Sequence, residues 1–518
     1  MGLKALWSFA SAALLGILLF HGSCSSEKGP YPSFTHQATV APPVSFYDYI
    51  IIGGGTSGCA LAATLSERAT VLLLERGISP YGNPTISNID TFAATLANTS
   101  PSSPSQTFIS TDGVINSRAR VLGGGSCLNA GFYTRASADY VSRVGWDPKL
   151  VEESYEWVEK KIVFRPPMLQ WQSAVRDGLL EVGVLPDNGY TFEHIYGTKV
   201  GGTIFDENGH RHTAADLLEY ADPTKITVYL NAVVHQIYFD TKGQPKPRAN
   251  GVEFRDAEGN IHKAYLKVGS MNEIILSAGA LGSPQLLMLS GIGPEPHLMA
   301  HGIEVVLDQP MVGQGMSDNP MNAVFVPSPR PVEVSLIQVV GITRFESYIE
   351  TASGSLLSVI GARRLGEFFQ SLANQTAQNF KVLPNEINPF LNPDVHFGII
   401  LEKTAGPLST GHLELQTRDP NDNPQVTFNY FQNPLDLERC VQGMKTIIEV
   451  LESKPLSRCQ VDRVVDHDYK VLGVDGLRVI DGSTFYDSPG TNPQATVMML
   501  GRYMGRKISQ ERFPNGMK

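Results

Sequence analysis

The stretch Tyr49–Gly58, which reads Tyr-Ile-Ile-Ile-Gly-Gly-Gly-Thr-Ser-Gly, constrains the fold of this chain more than any other. Its run of isoleucines predicts a buried parallel strand, and residues 59–67 predict a helix. Between the two, Gly53, Gly55 and Gly58 stand at the GxGxxG spacing. The first glycine permits a tight turn, the second lets a pyrophosphate approach the backbone, and the third lets helix and strand pack closely. The free N–H groups at the start of the helix would then face the phosphates.

A second strand and an acidic residue complete this pattern. Val71–Leu74 predicts another buried strand, and it ends in Glu75, about 20 residues beyond the glycines, where a carboxylate can accept the ribose hydroxyls. Glycine-rich turns also occur without any ligand, but strand, glycines, helix, strand and acid in this order indicate a dinucleotide site. The acid at the end of the second strand disfavours a 2′-phosphate on the ribose, and no arginine stands beside the ribose position before Arg76. The sequence therefore favours FAD or NAD over NADP.

Length and charge limit the class of protein and its partners. A chain of 518 residues predicts two or more domains, or one large two-lobed enzyme. Its formal net charge of −10 and the absence of a basic run argue against nucleic acid as a partner. No Cys-x-x-Cys or His-x-x-x-His spacing suggests a metal site, so we expect none.

The N-terminus has the pattern of a secretory signal. Lys4 precedes the apolar run Ala5–Phe20, and small residues follow, which predicts a signal peptide over residues 1–25. A membrane anchor is the alternative, but the run is shorter than the ~20 residues that span a bilayer, and we expect no stable membrane span elsewhere. The sequons Asn98-Thr99-Ser100 and Asn374-Gln375-Thr376 matter only on the secretory route. Together these features predict a secreted glycoprotein.

The chain has five cysteines. Cys24 would leave with the signal peptide, whereas Cys59 and Cys127 fall in glycine-rich motifs and are expected to be small buried residues. Cys440 and Cys459 are candidates for one disulfide, although the sequence does not establish that pairing.

Two further segments resemble parts of a ligand site. Ala119–Tyr133 contains three successive glycines, which would let backbone pass against a flat ligand, although a purely structural loop is the alternative. Ile274–Leu276 predicts a buried strand that leads into a second glycine-rich turn and a helix. Residues 334–382 and 395–428 lack such glycines and mix helical with alternating patterns, which predicts a second lobe with an antiparallel sheet that binds substrate.

These motifs resemble the glucose-methanol-choline (GMC) flavoprotein oxidoreductases. Ala119–Tyr133 and Gly279–Gly293 are similar to the two family signatures, and Val479–Ser483 with Thr491–Thr496 is similar to the C-terminal flavin segment. The likeness covers roughly residues 46–506 and is strongest to the plant branch that holds HOTHEAD-like proteins and mandelonitrile lyases.

The resemblance implies an α/β fold of two lobes. An FAD-binding Rossmann-like lobe would comprise residues 45–150, 197–319 and 470–512. A substrate lobe with an antiparallel sheet and helices would comprise residues 151–196 and 320–455. The cofactor implied is FAD, bound without a covalent link, because no histidine stands beside the first signature.

Family roles carry over by position. The glycines of the first turn would meet the pyrophosphate, Glu75 the adenosine ribose, and the backbone of Val234 the adenine. Asn492 would be the catalytic partner of the base, in a C-terminal segment that approaches the isoalloxazine. The residues implied in cofactor binding are Gly53, Gly55, Thr56, Ser57, Gly58, Glu75, Arg76, Val121, Gly124, Ser126, Asn129, Val234, Asp481, Gly482, Asn492, Pro493 and Gln494.

The catalytic base of the family is missing. Oxidation of an alcohol on a flavin needs a base for the hydroxyl proton, and histidine suits that task. Members of this branch carry a stretch like Trp-His-Tyr-His-Gly-Gly-Cys, whereas here Ser457 leads directly into Arg458-Cys459. We therefore expect several dozen residues to be absent at this point, which would slow turnover by ~10²–10⁴-fold. His467 and His396 are candidate substitutes, weighed against a solvated loop residue and a strand residue with its own partners.

Three functions remain open at this stage. The first is an FAD-dependent oxidoreductase that acts on the CH–OH group of alcohols, with long-chain ω-hydroxy acids as substrates if the resemblance extends that far. The second is a hydroxynitrile (mandelonitrile) lyase acting on a cyanohydrin, which depends on a histidine pair and is therefore disfavoured by Asn492. The third is an inactive, truncated FAD-binding form. The sequence does not indicate the oligomeric state.

Overall fold

A computed structural model describes residues 32–457, apart from residues 97, 99, 242–245, 270, 329–330 and 355–395. Several predictions concern residues outside this part of the chain. They are the signal peptide with Cys24, Thr99 of the first sequon, the second sequon, Cys459, His467, Asp481, Gly482, Asn492, Pro493 and Gln494.

Within the described residues, a five-stranded parallel sheet carries the first glycine turn. Its strands, in spatial order, are Thr35–Gln37, Ile226–Leu230, Val71–Leu74, Tyr49–Ile52 and Glu273–Leu276. The inner strands are mostly apolar and largely buried, as expected for a parallel sheet covered on both faces. The helix Thr56–Ser66 connects two neighbouring strands, and its small residues lie on the buried side. The predicted strand, turn, helix and strand are thus confirmed.

A second sheet has four strands and contains both parallel and antiparallel pairs. Its strands, in spatial order, are Val233–Asp240, Arg248–Arg255, Ile261–Leu266 and Val44–Tyr47. The apolar pattern of residues 226–239 predicts one continuous strand, and this prediction is wrong. Asn231 has a left-handed backbone with φ of 54°, so the chain turns there and the two halves enter different sheets.

A six-stranded sheet forms the second lobe. Its strands, in spatial order, are Met321–Ser328, His396–Thr404, Ser347–Ser353, Val339–Ile342, Gly197–Val200 and Asp187–Tyr190. Every pairing is antiparallel except the last, which confirms the predicted antiparallel sheet. Residues 197–200 pair here with residues 339–342, although the predicted boundaries place them in the FAD lobe. The domain boundaries therefore stay a prediction.

Two helices cover one face of this sheet. The helices Gln170–Glu181 and Pro434–Glu452 pack against it through an apolar cluster that includes Trp171, Ile349 and Ile447. The indole N–H of Trp171 donates to the hydroxyl of Thr351 at 2.6 Å. Both helices are amphipathic, with one face buried against the sheet and the other in water.

The remaining elements are shorter. The other α-helices are Pro84–Ser87, Phe92–Leu96, Ala138–Arg143, Pro148–Ile162, Gly279–Leu289, Glu295–Ala300 and Lys454–Ser457, and the 3₁₀ helices are Ala38–Val40, Ile89–Thr91, Gly124–Cys127 and Ala214–Tyr220. The other strands are Ser105–Ile109, Ile115–Ala119, Phe132–Tyr133, Gly202–Thr203, Ile292–Gly293, Leu307–Asp308, Gln314–Met316, Gly411–Glu414 and Gln425–Thr427. None of the helices in the described part of the chain combines the length and apolar character that crossing a bilayer requires.

Candidate cofactor site

A cavity of about 640 Å³ opens at the carboxyl ends of the parallel strands. Ile52, Leu74 and Leu276 line it, and each is the last residue of one of three neighbouring strands. Open α/β sheets bind their ligands at this edge because the loops that leave the strands converge there.

The first glycine turn forms one wall of this cavity. Gly53 has φ of 103°, and a Cβ atom there would stand 2.4 Å from the carbonyl oxygen of Ser277, so only glycine fits. Gly55 also lines the cavity, but an added Cβ would meet nothing closer than 3.8 Å, which leaves open space beside its backbone. Gly58 does not line the cavity. A Cβ there would stand 2.0 Å from the carbonyl oxygen of Gly53, so this glycine lets the helix pack against the turn.

The N-terminus of the helix Thr56–Ser66 opens into the same space. Thr56 and Ser57 line the cavity, the preceding Gly55 provides no side-chain cap, and the first turn holds no acidic residue. The first N–H groups of a helix lack intrahelical partners and lie at the positive end of its dipole. This wall of the cavity therefore suits a phosphate anion.

The second glycine segment lies directly against the first. The amide of Gly123 donates to the carbonyl of Gly54 at 2.7 Å, and a Cβ on Gly124 would stand 2.7 Å from the Cα of Gly55. Gly124 and its neighbour Val121 both line the cavity. The two segments, far apart in sequence, thus form one continuous backbone surface.

Ser126 and Asn129 face away from the cavity, although the resemblance implied that they lie along the cofactor. The hydroxyl of Ser126 donates to the carbonyl of Gly123 at 2.7 Å and accepts from the amide of Ala214 at 2.9 Å. The side-chain oxygen of Asn129 accepts from the amide of Gly131 at 3.0 Å. In the described structure both side chains stabilise the glycine segment from behind.

Glu75 contacts both the cavity and the first glycine turn. Its carboxylate accepts from the amide of Gly54 at 2.9 Å and from the amide of Gly77 at 2.7 Å. The side chain lines the cavity, yet the residue is only 5% exposed. Burial raises the pKa of Glu75, while the charge of Arg76 and the two amide hydrogen bonds oppose that shift. The carboxylate therefore holds the turn in shape and remains available to accept from a ligand hydroxyl.

Two arginines line the cavity beyond Glu75. Arg76 donates to the side-chain oxygen of Gln106 at 2.8 Å and to the carbonyl of Ala119 at 2.9 Å. Arg118 donates to the same oxygen of Gln106 at 3.2 Å. Burial lowers the pKa of Arg76 to about 10 and that of Arg118 to about 9, so both stay protonated at neutral pH. Sequence reasoning missed Arg118, because its position in a short strand before the glycines gave no ligand signal.

The second strand–glycine–helix element forms a neighbouring wall of the cavity. The cavity is lined by Leu276 to Ser283, and the hydroxyl of Ser283 accepts from the amide of Ala278 at 3.1 Å. Val234 lines the cavity together with the apolar side chains of Leu286 and Leu289. This part of the cavity suits a flat aromatic ring.

The cavity holds no base of the expected kind among its described lining residues, since none of them is a histidine. His396 begins a strand of the six-stranded sheet. Asp318, which sequence reasoning missed, lines the cavity and accepts a hydrogen bond from the hydroxyl of Tyr430. Burial and this carboxylate raise the pKa of Tyr430.

The cysteines behave as expected at two positions and differently at a third. Cys59 and Cys127 are free and buried. Cys440, a candidate for a disulfide with Cys459, is also a free thiol, and it accepts a hydrogen bond from the amide of Asn322 at 3.1 Å.

Comparison with protein families decides the assignment. The N-terminal family model of the GMC oxidoreductases matches residues 47–321, and the C-terminal one matches residues 407–463 and 455–501. The chain belongs to the GMC oxidoreductase family. The cofactor of this GMC oxidoreductase is therefore FAD, and its reaction class is oxidation at the CH–OH group of a donor. The open glycine backbone, the helix N-terminus and Glu75 fit the diphosphate and ribose of FAD.

Individual relatives carry different activities in their names. The chain is 49% identical to Protein HOTHEAD of Arabidopsis thaliana, over 91% of this chain and 89% of the relative. It is 44% identical to the (R)-mandelonitrile lyase-like protein of the same plant, over 93% of each chain. It is 40% identical to sinalpyl alcohol oxidase Nec3 of Nesocodon mauritianus, over 97% of this chain and 96% of the relative.

The same comparisons reveal a break in this GMC oxidoreductase. The C-terminal family model matches in two pieces that meet at residues 455–463, where the sequence predicted a missing segment. The alignment with HOTHEAD spans 533 positions, yet 91% of 518 residues is about 471, so some 60 positions of the relative have no counterpart here. The break in the match coincides with the point where the sequence predicts a missing segment. That this segment carries the histidines stays an implication of the family resemblance.

Proposed function

We propose that the cavity holds FAD without a covalent link, with its diphosphate at the first glycine turn and its adenosine half at Glu75 and Val234. The convergence of two glycine segments, a helix N-terminus and a carboxylate on one cavity carries this proposal. The amides at Thr56 and Ser57 would bind the diphosphate, and Glu75 would accept the ribose hydroxyls. The second glycine segment would let the flavin half pass close to the backbone.

The reaction we propose for the complete site is oxidation of an alcohol. FAD supplies the acceptor for the hydride that leaves the carbon bearing the hydroxyl group. This chain's own contribution is to bind and orient the cofactor, to exclude water and to hold the hydroxyl proton. By family resemblance the last task belongs to the absent histidine segment, with Asn492 as its partner and with Asp481, Gly482, Pro493 and Gln494 beside the ring. Long-chain ω-hydroxy acids are the substrates that we would test first.

This form of the protein should bind FAD but oxidise alcohols slowly. The break at residues 455–463 removes the base, and loss of general acid–base catalysis typically slows a reaction by ~10²–10⁴-fold. An inactive, truncated FAD-binding form is therefore part of the proposal.

A lyase acting on a cyanohydrin is the second candidate. The name of the (R)-mandelonitrile lyase-like relative, at 44% identity, favours it. Against it, the lyase mechanism implied by the resemblance depends on a histidine pair, and Asn492 stands at one of the two positions.

We further propose that residues 1–25 are a cleaved signal and that the protein is secreted and glycosylated. The basic residue, short apolar run and small residues of the N-terminus support this, as do the two sequons. Expression in plant cells, N-terminal sequencing of the medium fraction and a glycosidase mobility shift would check it. Retention of the intact N-terminus inside the cell would contradict it.

The test of function uses the full chain and a matched variant in which the missing segment is restored from the HOTHEAD relative. Both proteins should be yellow and should release free flavin on denaturation. Under anaerobic conditions an ω-hydroxy acid or an aryl alcohol should bleach the flavin of the restored variant ~10²–10⁴-fold faster than that of the natural chain.

Each other outcome has a definite meaning. A folded, colourless protein would overturn the FAD site. Cyanide release from mandelonitrile, without bleaching by alcohols, would replace the oxidoreductase with the lyase. Equal bleaching by the two proteins would show that the absent segment does not supply the base.

A further inference from the structure

Arg118 is a half-buried cation that lines the cofactor cavity, and the family resemblance assigned it no role. A chain of contacts fixes its position. Glu75 contacts the first turn through Gly54, Arg76 follows Glu75 in sequence, and Arg76 and Arg118 share the side-chain oxygen of Gln106. Arg118 therefore lies in the part of the cavity near Glu75, where the adenosine half of FAD belongs.

The guanidinium of Arg118 is held in one orientation by three parts of the chain. Its Nε donates to Gln106 Oε1 at 3.2 Å, its Nη1 to Gln285 Oε1 at 2.7 Å, and its Nη2 to the carbonyl of Asp422 at 2.9 Å. These acceptors lie around the edge of the guanidinium plane, so the hydrogen bonds leave its flat face unused. An arginine held in this way loses little side-chain entropy when a ligand binds.

The charges around Arg118 favour a negatively charged ligand. Its hydrogen-bond acceptors are neutral amide and carbonyl oxygens, and within the described residues no carboxylate forms a salt bridge with it. Arg76 and Arg120 are like charges nearby, and Asp422 offsets them only in part. A buried cation without an ion-pair partner is unfavourable, and an anionic ligand offsets that cost.

The surroundings also suit an aromatic ring. Arg118 lines the cavity together with Ala232, Val234, Leu286 and Leu289, all of which are apolar. A guanidinium plane stacks on aromatic faces, which adds an electrostatic attraction to the contact area.

We propose that Arg118 is an FAD-binding residue whose guanidinium plane lies against the adenine ring and whose charge attracts the diphosphate. The inference rests on the proposed position of FAD in this cavity. It adds a binding residue supplied by the strand Ile115–Ala119 and held by residues 106, 285 and 422.

The test is calorimetric titration of the full-length apoprotein with ADP, which carries the adenosine half of FAD and no flavin. Arg118→Ala should raise the dissociation constant for ADP about tenfold. Arg120→Ala is the matched control. Its guanidinium donates to the carbonyl of Ser103 at 2.8 Å and does not line the cavity, so the loss of this nearby charge should change ADP binding far less than Arg118→Ala does.

A second variant separates direct contact from support of the neighbouring loop. Asn423 lies beside Asp422, and its side chain donates to the carbonyl of Thr107 at 3.4 Å without lining the cavity. Asn423→Ala should therefore leave ADP binding unchanged, while thermal melting checks that all three variants are folded.

The outcomes distinguish this inference from the proposed function. If Arg118→Ala binds ADP as tightly as the natural chain, or if Asn423→Ala weakens binding equally, the inference is overturned. If the natural apoprotein does not bind ADP at all, the proposed cofactor site itself is wrong.

Discussion

The parallel sheet carries two strand–glycine–helix elements side by side, and they differ in how tightly they are built. The strands Tyr49–Ile52 and Glu273–Leu276 pair in register, and both end at the cavity. In the first element, a Cβ on Gly58 would stand 2.0 Å from the carbonyl oxygen of Gly53. In the second, a Cβ on Gly279 would meet no atom within 4 Å.

The difference shows that the same sequence pattern can satisfy two physical demands. The first element needs glycine at position 58 because the carbonyl of Gly53 leaves no room there for a Cβ atom. Gly279 needs it because its φ is 85°, a left-handed conformation that other residues rarely adopt. The supports differ too, since charged Glu75 holds the first turn and the neutral hydroxyl of Ser283 holds the second.

The largest effect should come from adding one methyl group to the first element. Gly58→Ala forces a Cβ against a carbonyl that cannot move without breaking the turn, at a cost of about 3 kcal/mol or more. We expect most of the bound flavin to be lost and the melting temperature to fall by several degrees. Flavin absorbance per mole of protein and thermal melting measure both.

The second element supplies the controls. Gly279→Ala should cost only about 1–2 kcal/mol of backbone strain, with flavin retained. Gly282→Ala should be tolerated, because its new Cβ would lie 3.2 Å from the Cβ of Ala278 in a helix that favours alanine. If Gly58→Ala and Gly282→Ala lose equal amounts of bound flavin, the proposed difference between the two elements is wrong.

An intermediate effect is expected from the side chains that hold the turns. Glu75→Gln replaces a carboxylate that accepts two amide hydrogen bonds, and such charged bonds contribute about 1.5–3 kcal/mol each. The dissociation constant for FAD should rise about 10- to 100-fold. Ser283→Ala removes one neutral hydrogen bond worth about 1 kcal/mol, so the same constant should rise about fivefold. A larger effect for Ser283→Ala would contradict this ranking.

The smallest expected effect is a pH dependence of the melting temperature, and it arises beside the first element only. His212 contacts Asp216 at 3.2 Å and Asp206 at 3.7 Å, and Tyr81 donates to Asp216. The segment that follows, Ala214–Tyr220, packs on the helix Thr56–Ser66.

The direction follows from the histidine. The hydrogen bond with Asp216, assisted by the charges of both aspartates, raises the pKa of His212 above its ordinary 6.5. The stabilisation is therefore fully present below about pH 6.5 and is lost as the pH rises through the raised pKa. His212→Gln should reduce the fall in melting temperature between about pH 6 and about pH 9 by about 1 °C. An unchanged pH profile would show that this histidine does not couple to stability.

Much of the nucleotide-binding lobe could be predicted because its signals are local. The isoleucine strand, the glycine spacing and Glu75 each act within a few residues of their sequence neighbours, and the structure places them at one cavity. The break near Ser457 was also readable, because a missing motif leaves a local mark in the sequence.

Other features depended on distant residues and were missed or misplaced. The strand over residues 226–239 breaks at Asn231, where one left-handed residue sends the chain into a second sheet. Ser126 and Asn129 stand beside cavity-lining glycines, yet their side chains bond to the backbone of Gly123, Ala214 and Gly131 behind them.

The sequence by itself determined the family and the cofactor class, since both follow from short motifs in a fixed order. Only the tertiary structure decided which side chains face the cavity and which support it from behind. Arg118 illustrates the reason, because its orientation is set by Gln106, Gln285 and the backbone of Asp422, which approach one another only after the chain has folded.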